Sequence, residues 1–72
     1  MHVTIENKAI ESMVESLAYC AAALTQDIDN ALRISNAAVR SSDMDTATEM
    51  NKQIVNLTRH RSNVRALMRA IV

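Results

Sequence analysis

A chain of 72 residues holds one domain or part of one, and so short a chain buries too little surface to be more than marginally stable alone. Its single cysteine, Cys20, excludes an intrachain disulfide, and the absence of Gly and Pro argues against β-hairpins and tight-turn folds. The formal net charge of +0 excludes a whole-molecule attraction to nucleic acid or to an anionic membrane.

Tyr19 is the one aromatic residue, so a core must come from Ile, Leu, Val, Met and Ala. Such a core is thin, and oligomerisation or a partner chain is the usual remedy. The longest apolar run, Leu17 to Leu24, is far shorter than the about 20 residues a membrane-spanning helix needs. The opening MHVTIENK has no basic segment followed by an apolar one. No cleavable secretion signal is therefore expected, and the expected location is cytoplasmic.

The first predicted element is a helix over residues 5–40, with Thr4 as its N-cap and Glu6 near the positive end of the dipole. Apolar residues recur at Ile10, Val14, Leu17, Ala21, Leu24, Ile28 and Ala31/Leu32, in alternating steps of three and four. That spacing marks a helix with one buried stripe. Thr25-Gln26-Asp27 offers a competing cap, which would give three helices. The apolar spacing runs through it unbroken, so two helices are expected.

The punctuation comes at Ser41-Ser42-Asp43, with a turn predicted at 41–42. Ser42 with Asp45 reads as a capping box for the second helix. Arg33 and Arg40 before the turn, and Asp43, Asp45 and Glu49 after it, suit the two helix dipoles. The second predicted helix spans 43–70, with a heptad-like stripe of Ala47, Met50, Ile54, Leu57, Arg61, Val64, Met68 and Ile71. A short connection makes the two helices antiparallel. The expected fold is all-α: a single-domain αα-hairpin that dimerises into a four-helix bundle or pairs with a partner helix.

Helical projection separates the flanks of each stripe. Glu11, Glu15 and Asp29 lie to one side of the first helix, and Arg61, Arg65 and Arg69 to one side of the second. An antiparallel pair brings these flanks together, so Glu11 and Glu15 are expected beside Arg65 and Arg69. The other flank carries Met13, Cys20, Leu24, Ala31, Ile34 and Ala38, with Leu67 on the second helix, and almost no charge. These seven residues are the candidate partner interface.

Arg61, Arg65 and Arg69 form a candidate basic ridge for phosphate. Their local balance with acidic residues, and the lack of interleaved aromatics to stack bases, weigh against nucleic acid as the partner. Arg61 falls on the apolar stripe itself and is expected to snorkel, with Ala21, Ala22 and Ala23 leaving room for its stem. His2 and His60 have no neighbours at ligand spacing, so no metal site is expected. Cys20 reads as a small buried hydrophobe, and Met13, Met50 and Met68 as core fillers. No nucleophile–base pair or paired carboxylates stand out, so no catalytic residue, cofactor or enzymatic activity is expected.

A long first helix, the polar turn Ser41-Ser42-Asp43, and a second helix packing through Ile54, Leu57, Val64 and Ile71 resemble the small E-type co-chaperones of type III secretion needle subunits. That resemblance implies a chain that pairs with a larger helical chaperone and helps keep the needle protein from polymerising early. The build is also similar to the plasmid-encoded Rop protein, an RNA-binding αα-hairpin dimer, and to small phage-encoded inhibitors of host proteins. The expected function is a non-enzymatic helical protein–protein interaction module. The alternatives are a phage- or plasmid-encoded regulator of a host protein, or a Rop-like RNA-binding bundle.

Overall fold

A computed structural model describes residues 2–71, with side chains over residues 7–71. It is an αα-hairpin of two helices, α1 (His2–Arg40) and α2 (Met44–Ile71), packed antiparallel along one seam. The Cα trace measures 61 × 15 × 11 Å. The long dimension matches the 39 residues of α1 at about 1.5 Å each, so α1 runs straight from end to end. Thr25 causes no break: its hydroxyl donates to the Ala21 carbonyl at 3.0 Å, inside the helix. α1 begins at His2, which places Thr4 within the first turn rather than at the cap. The side chains of His2, Thr4 and Glu6 lie outside the described residues.

The connection, residues 41–43, is one residue longer than the sequence suggests and differently capped. The Asp43 N–H donates to the Ala38 carbonyl at 2.8 Å, and the Ser42 N–H to the Val39 carbonyl at 3.1 Å. This pair of bonds is a Schellman closure, with Ser42 in the left-handed region at φ 61°. Ser42 thus terminates α1 and cannot cap α2. The N-cap is Asp43, whose Oδ1 accepts from the Thr46 N–H at 3.1 Å and whose Oδ2 accepts from the Thr46 hydroxyl at 2.7 Å. The Ser42–Asp45 capping box is replaced by Asp43–Thr46. Asp45 instead sits in the first turn of α2, where its charge favours the dipole.

Burial follows the three–four spacing but reaches further along α1 than its apolar residues do. Ile28, Ala31, Ser35 and Ala38 are buried on α1, and Ala47 faces them from α2. Small residues near the turn let the two backbones approach closely. Toward the open end the seam widens to Val14, Leu17, Leu24, Val64, Met68 and Ile71, all half-buried. Two polar links fix the register: Ser35 Oγ donates to Asn51 Oδ1 at 3.1 Å, and Arg61 Nη1 donates to Thr25 Oγ1 at 3.1 Å. In that register Val14 lies beside Ile71, with which it borders a groove.

The expected ion pairs along the Glu11 flank do not form. Among the described residues the polar links across the seam are Ser35–Asn51 and Arg61–Thr25, and none joins Glu11 or Glu15 to Arg65 or Arg69. The register explains this. Glu11 and Glu15 lie toward the end of α2, around the groove they share with Ile10, Val14 and Ile71. Arg65, four residues beyond Arg61, is level with Ala21, more than a turn from Glu15. Arg69 is exposed away from the seam.

Candidate interaction surface

Two helices cover only the central stripe of each other, and the residues beside that stripe define two long sides of the hairpin. On the first side, α1 presents Met13, Cys20, Asp27 and Ile34, spaced by seven. α2 presents Thr46, Gln53, His60 and Leu67 at the same spacing. Met13, Ile34 and Leu67 are 50%, 49% and 51% exposed. Two shallow grooves run along this side. One is lined by Met13, Leu17 and Leu67 with Ser12 and Ser16. The other is lined by Ile34, Ala31, Met50 and Leu57, with Asp27 and Gln53 at its rim.

The seven candidate interface residues therefore divide. Met13, Cys20, Ile34 and Leu67 lie on the first side and are open to solvent. Ala31 and Ala38 are buried in the seam, and Leu24 is half-buried there. These three belong to the hairpin's own core, because their heptad positions point at α2. Cys20, expected as a buried hydrophobe, is exposed in the hairpin.

The second side carries an apolar patch that sequence reasoning misses. Leu32, Val39, Met44 and Val55 are all exposed, and they cluster toward the turn. Glu11 and Arg65 mark the same side as charged at the open end, and that charge masks the apolar half. The seven-residue spacing of Leu32 and Val39, continued across the turn by Met44, is the signal that reveals the patch.

The basic ridge does not assemble as one surface. Arg61 is half-buried, with its guanidinium turned onto Thr25. Steps of four residues advance about 40° around a helix, so Arg65 and Arg69 move progressively outward, and both are exposed. Arg59 donates to Asn56 Oδ1 at 3.1 Å. Among the described residues no group of three or more His, Cys, Asp or Glu could hold a metal ion, and no helix is long and apolar enough to cross a membrane.

No family model, curated protein or solved structure matches this chain. Its surface chemistry is the remaining guide to its role.

Proposed function

We propose that the chain is a non-enzymatic, cytosolic helical interaction module that works by pairing the first side of its hairpin with further helices. The observation that carries this reading is the exposure of Met13, Ile34 and Leu67 along one side, against a core whose buried apolar residues, among the described residues, are Ile28 and three alanines. Fully burying a Leu, Ile or Met contributes about 1.5–3 kcal/mol, while whole domains are stable by about 5–15 kcal/mol. Covering three such side chains is thus a large term for so thin a hairpin.

The flat, two-groove shape suits an amphipathic helix better than a small ligand, because both grooves lie open along the helices. The E-type co-chaperones supply the pattern for such a role: a small helical chain held by helix–helix contact with its partner. Nucleic acid is the weaker reading, since Arg61 is engaged with Thr25 and leaves Arg65 and Arg69 without it.

The test is affinity capture by the wild-type chain and by Ile34→Glu, with captured chains identified by mass spectrometry. A specific helical protein, or further copies of this chain, should be held by the wild type, lost by the variant and unaffected by excess RNA. Capture that RNA abolishes, or that Ile34→Glu leaves intact, counts against the reading.

A further inference from the structure

Resting on that reading, we infer that the partner covering the first side is a second copy of this chain, related by a two-fold axis parallel to the helices. The two turns then lie at the same end, and each α1 packs on the other copy's α2.

The pattern of the first side is complementary to itself in this arrangement. The register set by Thr25–Arg61 and Ser35–Asn51 places Asp27 and His60 within one residue of the same height, about 1.5 Å. Rotation about an axis along the helices sets each Asp27 against the other copy's His60. Asp27 is the carboxylate in the seven-residue row of α1 on this side, and His60, in the matching row of α2, carries a ring N–H that can donate to it. The same rotation sets Ile34 by Gln53, and Leu67 between Met13 and Cys20, so six apolar side chains gather at the open end. An axis perpendicular to the helices instead packs α1 on α1 and α2 on α2, so that Asp27 no longer faces His60.

Area and net charge agree with a second copy. The stretch shared by both helices is about 42 Å long for the 28 residues of α2, and the hairpin is 15 Å wide. That face, about 630 Å² before side chains interdigitate, falls at the lower edge of the roughly 600–1,000 Å² per partner typical of specific interfaces. With a formal net charge of +0, two copies meet without mutual repulsion.

A charge-swap mixture tests the arrangement. Asp27→Lys removes the carboxylate that accepts from His60 at both contacts of its own dimer, and His60→Glu sets two carboxylates against each other there. Each should raise the dimer dissociation constant roughly tenfold, with helicity unchanged because both positions are exposed. An equimolar mixture of the two should regain wild-type association. At one contact the Asp27→Lys position then faces the His60→Glu position, and at the other the unaltered Asp27 and His60 face each other. A mixture that associates no better than either variant alone overturns the inference. So does a wild-type chain that stays monomeric at roughly 100 µM, where even a modest interface saturates. The interaction-module reading itself is separate from this outcome: it fails if Ile34→Glu also leaves capture of other proteins unchanged, or if RNA abolishes that capture.

Discussion

Arg61 and Thr25 are joined across the hairpin by a hydrogen bond of 3.1 Å, and the same threonine hydroxyl donates onward to the Ala21 carbonyl at 3.0 Å. A guanidinium at an otherwise apolar seam position is thereby partnered, while its stem packs between the helices. The link also fixes how far α2 slides along α1. Polar groups at such positions specify register at a cost in stability.

Two substitutions separate these effects. Thr25→Val should lower stability by about 1 kcal/mol, because it leaves the half-buried guanidinium without this acceptor. Arg61→Leu should raise stability by about 1 kcal/mol, by replacing a polar group with an apolar one on the stripe. Urea titrations monitored by circular dichroism read both. A Thr25→Val chain as stable as the wild type would show that the bond contributes nothing.

Ser42 holds a left-handed backbone without being glycine, at φ 61°. A side chain there costs about 1–2 kcal/mol, partly offset in glycine by its looser unfolded state. Ser42→Gly should therefore raise the midpoint of thermal unfolding, and Ser42→Val should lower it. The Schellman bonds use only the backbone N–H groups, which both variants keep. Equal midpoints in all three chains would mean that the turn is not held in this geometry.

Asp43 carries a pH signature. The Thr46 hydroxyl, and then the Thr46 N–H, stabilise its ionised carboxylate and hold its pKa below the ordinary value. A depressed pKa in the folded chain adds stability that is present above the unfolded value, about 4 for Asp, and is lost as pH falls through the lower folded one. Asp43→Asn keeps a neutral acceptor at the cap and has no such titration. The advantage of the wild type over Asp43→Asn in melting temperature should shrink between pH 7 and pH 3. An advantage that holds constant or grows on acidification contradicts this role for the carboxylate.

The all-α hairpin is legible because the apolar spacing of three and four survives Thr25-Gln26-Asp27, and because no glycine or proline interrupts either helix. The cap lies one residue beyond its expected place. Ser42 and Asp43 are both good N-cap types, and only the backbone shows that Ser42 is consumed in closing α1. Ser35 escapes notice because a serine leaves no mark in an apolar pattern, although the steps from Ala31 to Ser35 to Ala38 continue the stripe. Projection alone sets Ala31, Ala38 and Leu24 on the free flank, because it separates neighbouring heptad positions poorly when residues are small. Burial decides it: Ala31 is 4% exposed, whereas Ile34, one turn on, is half open.

That contrast between Ala31 and Ile34 yields the most direct measurement, sedimentation velocity at roughly 100 µM paired with circular dichroism. The wild-type chain of 8.0 kDa should sediment as a species of twice that mass. Ile34→Glu should keep its helicity and sediment at the single-chain mass, because it charges the docking side and leaves the seam intact. Ala31→Glu should lose helicity as well, because it places a carboxylate inside the hairpin itself. A wild-type chain that sediments at 8.0 kDa, indistinguishable from Ile34→Glu, would contradict the claim that the first side is covered by a second copy.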